Sequence, residues 1–408
     1  MLQWSRTHVG PAGVWRCRCV AWAALLVAVL TSRGAVASAK DEKLIAYVHV
    51  GHGKVASTSF QNSLLRNAKL LEESYNIAQF KLPGCSGNTF AMALGRVFHY
   101  GNPDPIPNDR MELGWGHHPP SEKCKAGHKG VIEASRVLVG DFIKQGKNVI
   151  LSSEYFGSWT TQSAEYLKDV FDGFELRVLV MVRHPLRWAM SLHAQNWRHK
   201  RTNEWLSELV DNAVKHQMNR TIATSVDSLN QFVEVIGPAQ TFVGSLDGII
   251  AAHYAPDQGI LQKFCGVDPD KVVSAHSNAS PSHYALEMIH FLSEFAGKKL
   301  LRWPRYDRQM ADFEEDLQRF SDTLGEECWQ CHDYADDFAP AEYAFQRAVD
   351  ETGATELFFD EEKDVEQARY YPLGSLVICH GDAKKLAADK PRAKQILAEI
   401  DAFKQKWG

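Results

Sequence analysis

The stretch that decides the reading is Leu44-Ile45-Ala46-Tyr47-Val48-His49-Val50-Gly51-His52-Gly53-Lys54-Val55-Ala56-Ser57-Thr58-Ser59. Leu44 to Val50 is a short, mostly apolar run bounded by a Gly turn, the pattern of a buried strand. Gly51 and Gly53 let the backbone turn tightly and approach a ligand closely. Lys54 adds a positive point charge. Ser57, Thr58 and Ser59 add hydroxyls where the first N–H groups of a following helix lack intrahelical partners. Phe60, Leu64, Leu65, Ala68 and Leu71 then follow a helical spacing. Strand, Gly turn, cation and helix N-terminus predict a cradle for a phosphate-like anion. The plainer alternative is a Ser/Thr-capped helix after a turn, with Lys54 solvated.

The turn is not the phosphate loop of a nucleotide triphosphatase. That loop, G-x-x-x-x-G-K-[ST], needs Gly at position 48 and Ser or Thr at position 55, where Val48 and Val55 stand. The hydroxyl that would hold Mg²⁺ is therefore missing.

Two further strand ends carry chemistry. Leu176 to Val182, LRVLVMV, runs directly into Arg183-His184-Pro185. Ligands of open α/β sheets gather at the carboxyl ends of strands, and a strand ending in Arg points to an anion rather than a metal. Ser191, eight residues after Arg183, can return a hydroxyl to the same anion from a following helix. Asn148 to Ser152, NVILS, places Glu154 just past another strand, where a carboxylate beside cations can act as a general base. A solvated basic helix and a strand-end Glu are the plainer readings of these two features.

Apolar runs alternating with helical patterns predict an α/β fold, a central parallel sheet flanked by helices, from residue 42 to 300. Thr241 to Val243 reads as a short further strand. Residues 101–130, rich in Pro and Gly, read as an irregular insertion. Residues 301–408 read as a mostly helical C-terminal extension, closed by a helix from Pro391 with Ile396, Leu397, Ile400, Phe403 and Trp407 on one face.

The chain has 408 residues and a net charge of -5, so it is not a basic nucleic-acid coat. Near its start, Arg6, Arg16 and Arg18 precede the apolar run Val20 to Leu30, and A-x-A frames follow at residues 35–39. The run falls short of the roughly 20 residues that span a bilayer. Residues 1–39 read as a signal peptide, with an uncleaved signal-anchor as the alternative. Either places the rest of the chain in the secretory lumen, as a Golgi or secreted protein, membrane-attached only through an uncleaved anchor. Asn219-Arg220-Thr221 and Asn278-Ala279-Ser280 are N-glycosylation triplets. Beyond Cys17 and Cys19 an even set of Cys remains, which allows disulfides without defining their pairing.

Together these segments resemble sulfotransferases that use 3′-phosphoadenosine-5′-phosphosulfate (PAPS), chiefly the Golgi and bacterial carbohydrate-type branch. The family's K-x-[GA]-[ST]-[ST]-[ST] loop matches Lys54-Val55-Ala56-Ser57-Thr58-Ser59; its R-x-P with a Ser eight residues on matches Arg183, Pro185 and Ser191. Its S-S-E matches Ser152-Ser153-Glu154. The similarity runs in order from Leu44 to Phe295, and FVEVIGPAQTFVGSLD is a softer echo of a later strand. Gly53 stands where Pro is frequent in the family, and His193 where an aromatic often stands.

The resemblance implies a P-loop-like sulfotransferase fold and PAPS as co-substrate, with no metal. It places Gly53, Lys54, Ala56, Ser57, Thr58 and Ser59 around the 5′-phosphosulfate, and Arg183 and Ser191 on the 3′-phosphate. Lys54 and Glu154 become the catalytic residues, with His52 a second candidate for proton transfer. The acceptor would be a hydroxyl, by preference on a glycan. The alternatives are a P-loop kinase or nucleotide hydrolase, and a non-catalytic lumenal nucleotide- or glycan-binding module.

Other signals are weaker. Cys328-Trp329-Gln330-Cys331-His332 has the form of a c-type haem attachment sequence, but a single copy in acidic, helical sequence favours a disulfide or thiols. His117, His118, Cys124 and His128 are zinc-ligand types without a zinc spacing.

Overall fold

In the computed structural model, the described residues are 43–51, 55–82, 127–154, 161–184, 187–188, 190–193, 218–275, 283–296, 315–316, 329–334, 343, 346–357 and 377–407. Residues 1–39, read from the sequence as a targeting segment, most of the stretch 101–130, His52, Gly53, Lys54, Pro185 and the Asn278 triplet lie outside them. Among the described residues no helix is long and apolar enough to cross a membrane.

The elements run in chain order as β1 (Leu44–Gly51), α1 (Ser57–Arg66), α2 (Ala68–Tyr75), β2 (Ile77–Gln79), α3 (Gly127–Lys144) and β3 (Asn148–Ser153). Then come α4 (Thr161–Val170), β4 (Phe174–Val182), α5 (Met218–Ile236), β5 (Thr241–Ser245), α6 (Leu246–Ala251), α7 (Pro256–Cys265) and α8 (His283–Phe295). The C-terminal region adds β6 (Trp329–Asp333), β7 (Thr355–Leu357), β8 (Val377–Gly381), α9 (Ala383–Ala388) and α10 (Lys390–Trp407).

Among the described residues, six strands form one sheet in the order β2-β3-β1-β4-β5-β7, and every pairing in it is parallel. Parallel strands are covered on both faces, so both sets of alternating side chains must be apolar. β1 shows this. Ala46, Val48 and Val50 join Val149, Leu151, Val178 and Val180 in a core closed by Leu167 of α4 and Phe232 of α5. Tyr47, Ile150, Leu179 and Met181 belong to the opposite core, closed by Phe60 and Leu64 of α1 and by Ile260, Leu261 and Phe264 of α7. The α/β architecture expected from the alternating apolar runs is thus the one observed.

Local differences have local causes. The helical pattern after the Gly turn splits into α1 and α2 at Asn67, whose side chain is fully committed. Its amide donates to Ser63 O at 2.8 Å and Val273 O at 2.9 Å, and its Oδ1 accepts from Val273 N at 2.8 Å. The bonds pin a distant loop against the helix break. Helix α3 begins at Gly127, inside the stretch read as irregular to Gly130. The C-terminal region read as mostly helical also supplies β7, which pairs with β5 as the outermost described strand on that side, and the antiparallel pair β6–β8. In α10, Ile396, Ile400 and Phe403 are buried as expected, but Leu397 faces outward. Cys331 and His332 lie on β6 rather than in helix.

Candidate functional site

Strands β3, β1 and β4 are contiguous, and the three chemistry-bearing segments leave their carboxyl ends. Val50 pairs with Ser153, and Gly51 with Met181. The Gly turn after β1, Glu154 after β3 and Arg183 after β4 therefore emerge side by side. The chain leaves β1 through α1, which packs in one core, and leaves β3 through α4, which packs in the other. Connections diverging to opposite faces open a crevice at the strand ends, the usual ligand position in such sheets.

At the β1 end, Ala56 precedes α1 with φ 63° and ψ 17°, a left-handed conformation. No side chain caps this helix, so its N-terminal N–H groups lack the usual side-chain acceptor. Ser57, at the first helical position, is buried, and its Oγ has no hydrogen-bond partner. An unpaired buried hydroxyl carries a desolvation cost that a bound acceptor relieves. A Cβ at Gly51 would collide with this same Oγ, so only Gly leaves the space open. Ser59 is half-buried beside it.

Thr58 Oγ1 donates to Glu154 Oε1 at 3.4 Å, joining the β1 turn to the β3 end. Glu154 is exposed, as a carboxylate that receives a proton from an incoming substrate must be. Beneath the turn, His49 Nδ1 lies 2.8 Å from Ser152 Oγ, and Gln61 Nε2 donates to the same hydroxyl at 3.4 Å. The His49 ring packs on Phe60 with centroids 4.6 Å apart, and its Nε2 has no partner. Burial pushes its pKa down to about 3, so this imidazole stays neutral and is a poor proton shuttle near neutral pH.

At the β4 end, Arg183 is half-buried. Burial lowers its pKa, the Asp247 carboxylate opposes that, and the nearby Arg187 adds to the lowering. Two guanidiniums close together in a partly dry site favour an anion between or beside them. Asp247 organises this end. Buried in the first turn of α6, it accepts from His184 N at 2.7 Å and from Arg187 Nη1 at 2.9 Å. Trp188 N then donates to His184 O at 2.8 Å, starting the helical turn that carries the buried Ser191 and His193. Ser245 caps α6 by accepting from Gly248 N at 3.0 Å. Helix α8 reaches this neighbourhood, because His193 and burial together lower the His290 pKa to about 4, burial contributing more.

Of the residues expected from sequence, Ser57, Thr58, Ser59, Ala56 and Glu154 form one described cluster. Arg183 and Ser191 follow the adjacent strand, while His52, Gly53 and Lys54 lie outside the described residues. The sequence reading missed Asp247 and His49. Ser245-Leu246-Asp247-Gly248 carries the signature of a capped helix with an acidic first turn, which marks Asp247 as placed but not what it braces. Among the described residues, no group of three His, Cys, Asp or Glu side chains could hold a metal ion.

The fold defines a parallel, doubly covered α/β protein whose crevice gathers hydroxyls, a carboxylate and a guanidinium. No protein-family model matches the sequence, and no curated protein matches it. Among solved structures, it is similar to a sulfotransferase from Alicyclobacillus acidocaldarius, at 14% identity and a TM-score of 0.33, covering 61% of this chain and 92% of that one. It is also similar to the PezAT toxin–antitoxin system of Streptococcus pneumoniae, at 12% identity and a TM-score of 0.25, covering 71% and 93%.

Proposed function

We propose that this chain is a sulfotransferase that moves a sulfuryl group from PAPS to a hydroxyl of a carbohydrate acceptor in the secretory pathway. The observation that supports it most is the convergence of three adjacent strand ends, one with an unpaired buried hydroxyl at a helix N-terminus, one with a carboxylate and one with a guanidinium. The residues fit the donor: Ser57 Oγ, the α1 N–H groups and Thr58 suit its 5′-phosphosulfate, and Arg183 and Ser191 its 3′-phosphate. Gly53, Lys54, Ala56 and Ser59 complete the cradle by the resemblance described above.

In this reading the acceptor oxygen forms a bond to sulfur as the bond from sulfur to the bridging phosphate oxygen breaks. The acceptor proton passes to Glu154, and the leaving phosphate keeps the bond's electron pair. Lys54 and the helix N–H groups stabilise the charge that develops on that phosphate. Arg183 and Ser191 align the donor by its far end, which contributes orientation rather than covalent chemistry. His52 is a second group for proton transfer; His49 is not, because burial keeps it neutral. Residues 1–39 serve as the targeting signal.

The test is transfer of labelled sulfate from PAPS to a panel of glycans, with calorimetry of 3′-phosphoadenosine-5′-phosphate against ATP with and without Mg²⁺. The reading expects metal-independent binding of the bisphosphate and a labelled glycan. Mg²⁺-dependent ATP turnover would instead identify a kinase or hydrolase. Donor binding without transfer to any acceptor, unchanged in Glu154→Gln, would identify a binding module.

A further inference from the structure

The C-terminal ladder holds a pairing that the strand-end chemistry does not use. β6 and β8 run antiparallel, with Trp329 opposite Gly381, Gln330 opposite His380, Cys331 opposite Cys379, His332 opposite Ile378 and Asp333 opposite Val377. Two cysteines far apart in the sequence are therefore direct cross-strand partners. Residues directly opposed in an antiparallel ladder have Cα atoms about 4.5 Å or about 5.5 Å apart, depending on the hydrogen-bonding position. Both values fall within the roughly 4.4–6.8 Å that a disulfide requires. Opposed positions also share a face of the ladder.

The ladder is firmly seated. Gly381 is buried at the end of β8, and a Cβ there would enter the ring of Phe291. Phe291 is itself fully buried in α8 and stacked on Phe295 at 6.3 Å between centroids. A slip of β8 by one residue would press His380 or Asp382 against that ring. Register along β8 is thus held by a contact that only Gly allows. By alternation, positions 332 and 380 fall on the opposite face of the ladder from positions 331 and 379. Cys265, by contrast, is buried in α7 and burial pushes its thiol pKa up, which makes it an inert core residue.

We propose that Cys331 and Cys379 are joined by an intrachain disulfide that locks the β6–β8 ladder. In forming it, one cysteine thiolate attacks the disulfide of an oxidising protein or small-molecule disulfide. The second thiolate then attacks the mixed disulfide, so that two thiols lose two protons and two electrons and both sulfurs of the oxidant leave as thiols. The bond encloses the segment that carries β7 onto the main sheet, so it fastens the C-terminal region around that edge strand. The assignment rests on the ladder and is independent of the sulfotransferase reading.

The test is peptide mapping by mass spectrometry of the full chain secreted from an oxidising compartment, alkylated before reduction and digested without reductant. The expected result is one linked peptide pair containing Cys331 and Cys379, two hydrogens lighter than the separate peptides and lost on reduction. Cys331→Ser, Cys379→Ser and the double variant should each lower Tm by the same roughly 5–10 °C, because one bond is lost in all three. Alkylation of both residues in the unreduced chain would overturn the proposal. So would a Cys328–Cys331 linkage, or stoichiometric zinc released with both thiols.

Discussion

The two strand ends to which the proposed function assigns the donor's anionic groups differ in how their polar groups are held. At the end of β1, buried polar atoms are left without partners: Ser57 Oγ and His49 Nε2 both face unfilled hydrogen-bonding capacity. At the end of β4, a buried carboxylate takes up the His184 amide and the Arg187 guanidinium, so the backbone around Arg183 is braced from within the protein. An unsatisfied group gains from a ligand, and a braced backbone holds the residue it carries in place before one arrives. In the proposed transfer, the first end would supply binding energy on contact and the second position beforehand, and an in-line reaction needs both, because the reacting group must be held while its distant end fixes the geometry.

The largest expected effect breaks the second end outright. Arg183→Ala should lower kcat/KM for PAPS by about 10²–10³-fold, as for loss of a charge-stabilising donor, with Tm nearly unchanged. Steady-state kinetics beside a thermal melt check this. Asp247→Ala should remove the brace instead. It leaves the His184 amide and Arg187 without their acceptor and should destabilise the fold by about 2–4 kcal/mol, measured by denaturant unfolding. If it left stability unchanged, the contrast between braced and unbraced ends would fail.

At the first end, Gly51→Ala places a methyl group against Ser57 Oγ. The expected outcome is about a tenfold or greater loss of bisphosphate affinity by calorimetry, with a smaller cost in stability, since overpacking costs roughly 1–3 kcal/mol. His49 sharpens the same end through pH. Its folded pKa of about 3 lies below the ordinary 6.5, so between these values the unfolded chain binds a proton that the native chain does not. Stability should therefore fall as pH drops below about 6.5, by at most about 1.4 kcal/mol per pH unit from this group. His49→Gln should flatten that part of the profile. The smallest effect is a control remote from both ends. Gly140 lies inside α3 with open space around it, so Gly140→Ala should stabilise by about 0.5–1 kcal/mol and leave activity untouched.

Much of the sheet is legible in the sequence because each central strand is a continuous apolar run ending at a turn residue. Leu44 to Val50, Asn148 to Ser152 and Leu176 to Val182 all fall within observed strands. What escapes is short or non-local. Ile77–Gln79 and Thr355–Leu357 are three residues each, too brief for any periodicity, and they exist as strands only through pairing with β3 and β5. β6 and β8 are likewise defined by each other. In the site, Ser57, Thr58 and Glu154 announce themselves by residue type beside a strand end. Asp247 does not, because its partners, His184 and Arg187, lie far off in sequence and one of the bonds is to a backbone amide. His49 reads as part of an apolar strand, and only packing against Phe60 and Ser152 shows why a titratable ring can sit there uncharged.

The brevity of β2 and β7 reaches beyond this one molecule. Among the described residues they are the outermost strands of the main sheet, and each offers a three-residue ladder as a template. A neighbouring chain that tried to extend the sheet would gain few hydrogen bonds before the border ran out. The longer and more apolar strands, those most prone to recruit strangers, are sheltered in the middle. Among the described strands of the main sheet, the backbone open to a stranger is thus the shortest it holds.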